Sequence, residues 1–248
     1  MNKKEILKEL LNNRYAHRGL HDKPIVPENS MTAFEKATRE GFGIELDLHL
    51  TKDEKLAVIH DASLERTCGV DLIIEELTLE EAQGHFLEKS QEPIPDFEEV
   101  LAMVDGKIPL IIELKVEKSN YDRLCTRLVE TLSGYKGIYC IESFDPRAVK
   151  WFYKNKPEIV RGQLAGALKK GGFKMSPIKD FIVRNLLVNI ASKPDFVAYK
   201  FEDRFEKAFR KYNGPKFLWT IKKYSDLKEA EALGAAPIFE QFNPKEYE

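Results

Sequence analysis

The sequence predicts an α/β protein: a (β/α)8 TIM barrel with a small subdomain inserted after the second barrel strand. Three observations carry that prediction. Apolar strand-like runs alternate with amphipathic helical stretches through most of the chain, the order that builds a parallel sheet. The 248 residues match the usual length of one such barrel and suffice for a sizeable core. One strand-like run follows its predecessor too closely for a parallel crossover, which marks an excursion from the barrel.

Residues 3–12 read as a leading helix, and Arg14 to His17 as the first strand. Ser30 to Glu40 reads as helix, with Asn29 and Ser30 as candidate caps, since either side chain can accept from first-turn N–H groups. Ile44 to Leu50 is the second barrel strand. Leu56 to His60 is also strand-like, but only Thr51 to Lys55 separates the two. They therefore pair antiparallel as a hairpin, and His60 stands on the excursion rather than on the barrel. The insertion is expected over residues 51–94, within a single domain of residues 1–248. It holds a short helix, Thr78 to Gln83, and the loop Glu88 to Pro95. Six further strands follow at Pro109–Leu114, Gly137–Glu142, Ile159–Leu164, Phe196–Lys200, Phe217–Ile221 and Pro237–Glu240. Helices are expected at 119–133, 145–155, 178–190, 203–212 and 225–233. The stretch Gly171 to Ile190, with Phe173, Met175, Ile178, Phe181 and Ile182, reads either as an outer helix packed on the sheet or as a rim helix offering apolar side chains to a lipid-like substrate.

Composition narrows the function classes. Hydrophobic residues at 43% and charged residues at 32% describe a globular chain rather than a disordered one. With 39 basic and 41 acidic residues the net charge is -2, so the basic footprint of a nucleic-acid binder is missing. Met1 to Asn13 carries charges throughout and no apolar run of signal-peptide length, and no stretch approaches a membrane span. Cys68, Cys125 and Cys140 are odd in number and widely spaced, as reduced thiols are. The expected location is cytoplasmic, without stable membrane insertion, and the oligomeric state is not readable from sequence.

The chemistry-bearing residues cluster at predicted strand ends. They are His17-Arg18-Gly19, Glu45-Leu46-Asp47, His60-Asp61 and Glu113-Leu114-Lys115. Alternate strand residues share a face, so Glu45 and Asp47 point one way, as do Glu113 and Lys115. A barrel gathers its chemistry at the carboxyl ends of its strands, so these groups converge on one rim. Glu45, Asp47 and Glu113 form an oxygen-only ligand set for one divalent cation, Mg²⁺ or Ca²⁺, with Mn²⁺ as a third option. His17 and His60 are the candidate general acid and base, since an alcohol leaves poorly as an anion and an imidazole titrating near neutrality can protonate it. Which ring plays which part is left open. Arg18 and Lys115 are candidates for holding a phosphate; Lys115 alternatively pairs with a rim carboxylate. Glu28 either binds a substrate hydroxyl or orients a neighbouring group, and Asp61 either orients His60 or closes a turn. Phe144 and Trp219 either wall the substrate or fill the core. His21, His49 and His85 have no assignable partner, although His49 lies one step further along the Glu45/Asp47 face, as a rim contact or as support for a group that makes one. The combination suits cation-assisted cleavage of a phosphate ester.

At these residues the chain resembles the glycerophosphodiester phosphodiesterase family. His17-Arg18-Gly19, Pro27-Glu28-Asn29, Glu45-x-Asp47, His60-Asp61 and Glu113-x-Lys115 match its motifs in order and spacing, and Ser143-Phe144 and Trp219-Thr220-Ile221 are similar to later landmarks. The likeness runs from about Tyr15 to Pro244. It departs at Lys222, where the family usually has Asn, and over Phe239 to Pro244, where it usually shows Ile-Thr-Asp-x-Pro. The resemblance implies metal-dependent hydrolysis of a small-molecule glycerophosphodiester to an alcohol and sn-glycerol 3-phosphate, by attack of water or through a cyclic phosphate. Two alternatives stand beside it: a lysophospholipase D-like phosphodiesterase using the same site, and a barrel that binds phosphorylated ligands without turning them over.

Overall fold

The apolar runs of the sequence become nine strands in the computed structural model, which describes residues 1–167 and 176–248. They are β1 (Tyr15–His17), β2 (Gly43–Leu50), β3 (Leu56–Val58), β4 (Leu110–Leu114), β5 (Tyr139–Ser143), β6 (Arg161–Ala165), β7 (Phe196–Lys200), β8 (Lys216–Ile221) and β9 (Ala236–Phe239). All but β3 run parallel, each to its neighbour in the order β1-β9-β8-β7-β6-β5-β4-β2. The pairing Ala16↔Ile44 on one side of β1 and Ala16↔Phe239 on the other closes the barrel. The predicted strands are reproduced to within about two residues at each end.

Side-chain parity sorts the barrel into an inside and an outside, because strand residues alternate faces. Tyr15, Ile111, Cys140, Phe196, Ala198, Phe217 and Ile238 form one buried cluster, the barrel interior. The alternate residues Ala16, Ile44, Leu46, Ile112, Ile141, Val197, Leu218 and Phe239 join the larger cluster beneath the outer helices. That outer layer is α2 (Met31–Glu40), α5 (Phe97–Val104), α6 (Tyr121–Thr131), α7 (Pro146–Asn155), α8 (Pro177–Arg184), α9 (Asn189–Ser192), α10 (Lys207–Lys211) and α11 (Tyr224–Ala232). Phe34, Phe97 and Phe152 from these helices are fully buried, each contributing about 1.5–3 kcal/mol of transfer free energy. At the amino-terminal end, α1 (Lys3–Leu11) packs Ile6, Leu7 and Leu11 on the interior cluster. Tyr15 Oη donates to the carbonyl of Leu10 at 2.7 Å, which ties α1 to the first strand. Asn2 caps α1 by accepting from the N–H groups of Lys4 and Glu5.

The hairpin forms as expected. β3 pairs antiparallel with β2 through Leu48↔Val58 and Leu50↔Leu56. The strand ends at Val58, earlier than the predicted His60, but the N–H of Ile59 still donates to the carbonyl of Asp47 at 3.1 Å. Beyond it lie α3 (Glu65–Cys68) and α4 (Leu79–Gln83), the latter with Thr78 and Glu81 forming a capping box. Ala57, Ile59, Leu64, Ile74, Leu79, Ala82, Leu87 and Ile94 form a separate small core under this segment.

Besides α3, which the sequence reading does not place, three helical stretches differ from expectation. The stretch 178–190 splits into α8 and α9, because Leu186 takes a left-handed conformation with φ of 58°. The stretch 203–212 shortens to α10, preceded by a 3₁₀ turn at Phe201–Asp203. The helix α5 has no bounds in the sequence reading, although Phe97, Val100, Leu101 and Val104 form its buried stripe and Asp96 caps it. Phe173 and Met175 lie outside the described residues.

Candidate active site

The inward parity of each strand continues upward into the site. On β1 it passes from Tyr15 to His17, on β4 from Ile111 to Glu113, on β5 from Cys140 to Glu142 and on β8 from Phe217 to Trp219. On β2 the outward residues are Ile44, Leu46 and Leu48, which turns Glu45 and Asp47 inward. The register pairs Asp47 with Glu113 and Glu113 with Glu142, so the acidic groups stand side by side at one level.

Glu45, Asp47 and Glu113 are all buried, and one carboxylate oxygen from each lies within 4.8 Å of the other two. Lys115 Nζ approaches Asp47 Oδ1 at 2.9 Å and Glu113 Oε1 at 2.7 Å. Arg18 Nε stands 3.3 Å from Asp47 Oδ2, and Asn29 Nδ2 donates to the same oxygen at 2.8 Å. Asn29 is thus no helix cap: Ser30 caps α2 by accepting from the N–H of Ala33. Two cations serve this cluster, while Glu142 adds a fourth buried carboxyl beside Glu113. Burial, followed by repulsion from Asp47 and Glu113, pushes the Glu45 carboxyl well above the usual carboxylate range. Burial raises Glu142 likewise, reinforced by Glu113. Asp47 goes the other way: Lys115, His60 and Arg18 outweigh its burial and hold it well below that range. The donor set is all oxygen and, fully ionised, carries more negative charge than its two cations balance, which fits a hard dication.

Both imidazoles are held through Nδ1. His17 Nδ1 lies 2.7 Å from Glu240 Oε2, and its Nε2 faces Glu45 Oε2 at 3.8 Å. His60 Nδ1 lies 2.5 Å from Asp61 Oδ1. A carboxylate accepts, which assigns the proton to Nδ1 and leaves Nε2 as the exchangeable site on each ring. Burial, with the Arg18 charge beside it, lowers His17 to about 4 despite the Glu240 bond. His49 donates from Nε2 to the carbonyl of His60 at 3.1 Å, and its Nδ1 faces Glu75.

A cavity of 920 Å³ opens above these groups. His17, Arg18, Glu45, His60, Glu113, Lys115, Phe144 and Trp219 all line it. Phe144 and Trp219 meet edge to face, ring centres 5.6 Å apart, and the adjoining wall is apolar, with Leu164, Ile182, Val183 and Val188. Two predicted site residues do not line the cavity. Asp47 lies beneath it, fully buried. Glu28 is spanned by three cations: Arg18 Nη1 at 2.8 Å, Arg66 Nη2 at 2.6 Å, and Lys23. These cations outweigh its burial and hold its carboxyl well below the usual range. Of the two roles open to Glu28, its position favours orienting Arg18 over touching substrate.

Sequence reasoning did not find Arg66, Glu142 or Glu240. Arg66 joins α3 to the rim, with Nε 2.5 Å from Asp61 Oδ2 and its other nitrogens on Glu28. Glu240 and Glu142 did leave a signal: each follows an inward-facing strand residue, Ile238 and Cys140, by two positions.

Fold and rim together define a parallel barrel that sets two imidazoles and two cations around a buried carboxylate cluster. The sequence pattern of the glycerophosphoryl diester phosphodiesterase family matches residues 17–242, and the chain belongs to that family. A glycerophosphodiester phosphodiesterase of Bacillus altitudinis is 34% identical over 156 residues, covering 58% of this chain and 63% of that protein. A lysophospholipase D of Rattus norvegicus is 41% identical over 68 residues, covering 27% of this chain and 21% of its own length. The matched stretch spans less than two thirds of either relative. A phosphodiesterase of Oleispira antarctica, solved with the product sn-glycerol-3-phosphate, superposes with a TM-score of 0.78 at 20% identity and covers 96% of both chains. That likeness concerns the fold.

Proposed function

We propose that this chain hydrolyses glycerophosphodiesters, such as glycerophosphocholine or glycerophosphoethanolamine, to an alcohol and sn-glycerol 3-phosphate. The observation that carries the reading is the joint presence of His17, His60, Arg18, Lys115, Glu45 and Glu113 around one cavity. Family membership and the product bound to the Oleispira antarctica neighbour support the same substrate class. Arg18 and Lys115 hold the phosphate oxygens, and Phe144 and Trp219 wall the alcohol moiety. His17, neutral at ordinary pH, takes the proton of the attacking oxygen at Nε2, whether that oxygen belongs to water or to the substrate's own glycerol. His60 gives its Nε2 proton to the departing alkoxide. A dication on Glu45, Asp47 and Glu113, either Mg²⁺ or Ca²⁺ with Mn²⁺ as a third option, would stabilise charge on the phosphate. Residues 51–94 form an inserted subdomain of one domain in this reading, supported by their own small core. Among the described residues no helix is long and apolar enough to cross a membrane. A cytoplasmic location is part of the same proposal and rests on three free thiols.

A metal-by-substrate screen on the purified protein tests this, reading release of sn-glycerol 3-phosphate. His17→Ala and His60→Ala, folded by circular dichroism, are expected to lose about 100-fold or more in kcat. Near-wild-type turnover in either variant, or full activity after thorough chelation, overturns the mechanism. No product with any divalent cation leaves a barrel that only binds phosphorylated ligands.

One observation favours a second reading, a lysophospholipase D-like activity at the same site. Ile178 and Phe181 on α8 are 73% and 52% exposed, and Ile182, on the same helix face, lines the cavity. An apolar track thus leads from the surface to the site. Faster turnover of lysophosphatidylcholine than of glycerophosphocholine would select this reading.

A further inference from the structure

Glu240 belongs to none of the roles above. It does not line the cavity, so it cannot touch substrate there. Its backbone N–H donates to the carbonyl of Ile221 at 2.9 Å, which fixes the residue to the end of β8. Its two carboxylate oxygens have different partners. Oε1 takes Lys222 Nζ at 3.0 Å, and Oε2 takes His17 Nδ1 at 2.7 Å. The side chain is only 11% exposed, and it cannot rotate without breaking one of these two charge-assisted contacts. His21 Nε2 stands 3.8 Å from the same Oε2, too far to compete by hydrogen bonding. Lys222 and Glu240 fall at the two places where the sequence departs from the family's usual letters, and the fold bonds them to each other.

We infer that Glu240, braced by Lys222, is the positioning residue of His17: it holds Nδ1–H and so aims Nε2 at the reacting oxygen. The physical reason is that an imidazole can otherwise turn about its χ2 bond and present either edge to the cavity. A fixed anion behind the ring selects one edge. It also stabilises the imidazolium formed when Nε2 takes a proton. This inference rests on the phosphodiesterase reading.

The test is a double-mutant cycle between Glu240 and His17, with glycerophosphocholine as substrate and Mg²⁺ present. Glu240→Ala is expected to lower kcat about 10- to 100-fold, the usual effect of removing a histidine's outer partner, with KM changed by less than about twofold. Glu240→Gln, whose amide oxygen still accepts from Nδ1–H, is expected to recover part of that loss. In a His17→Ala background, Glu240→Ala should cost nothing further, because its effect passes through the ring. Equal losses in both backgrounds mark a merely structural role and overturn the inference, as does unchanged kcat in Glu240→Ala. Should Glu240→Ala fail to fold, Glu240→Met, of similar size but unable to accept from Nδ1–H, takes its place in the cycle: a kcat equal to that of wild type then overturns the inference. Wild-type protein without turnover sinks the phosphodiesterase reading instead, so the two failures are distinguishable.

Discussion

Metal binding at the carboxylate cluster should be coupled to pH, with a sign the structure fixes. Glu45, Glu113 and Glu142 have carboxyls raised above their ordinary values, by burial first and by neighbouring acids where no cation intervenes. A carboxyl raised in the folded state binds its proton more tightly there than in the unfolded chain. Its stabilising contribution is therefore present at low pH and lost as pH rises through the folded value. The metal-free protein should lose stability as pH rises above the ordinary carboxylate range, and a dication should restore it. At free Mg²⁺ a hundredfold above its dissociation constant, binding adds about 2.7 kcal/mol. For a domain of this size that raises Tm by about 5–10 °C. If the ion displaces one proton, each pH unit below the ligand's pKa weakens apparent binding about tenfold, or about 1.4 kcal/mol. At fixed Mg²⁺ the thermal shift should then shrink by about 3–5 °C per pH unit on acidification. Scanning calorimetry with and without chelator, at several pH values, measures this. A metal-induced shift that is absent, or that grows on acidification, refutes the coupling.

Predictions for two further variants follow from the ion-pair geometry. Arg66→Ala frees Asp61 and one side of Glu28; Arg66 is 44% exposed, so solvent screening keeps the stability loss near 1 kcal/mol by urea titration. The same variant should lose about tenfold in kcat, because His60 keeps Asp61 but Asp61 no longer has an anchor. Lys115→Met leaves Asp47 and Glu113 without their shared cation; the metal-free variant should lose about 3–5 kcal/mol, and much of this should return with saturating Mg²⁺.

The barrel was legible because its periodicities are local. Phe196 to Lys200 is a strand in both readings, and β3 follows from the shortness of the Thr51–Lys55 link alone. The stripe of α5 is equally local, in Phe97, Val100, Leu101 and Val104. The break between α8 and α9 was not visible, since it turns on one left-handed residue, Leu186, that carries no glycine to announce it. In the site, Glu45, Asp47, Glu113 and His17 lie on strands whose ends the sequence locates, and His60 follows the end of β3 by two residues. Their partners come from afar. Arg66 meets Glu28 across 38 positions, and Glu240 meets His17 across 223. The second contact exists because β9 closes against β1, and sequence gives the fact of closure without the register that sets the pairing.

His60 is carried by the excursion, while His17 and the three clustered carboxylates ride on the barrel itself. The two halves of the proposed proton relay therefore belong to parts with separate hydrophobic supports. Loosening of the smaller part alone would silence the chemistry while the larger one stayed intact. Under rising urea, catalysis should fade before the global transition, and a protease cut among residues 51–94 should yield an inert yet still-closed barrel.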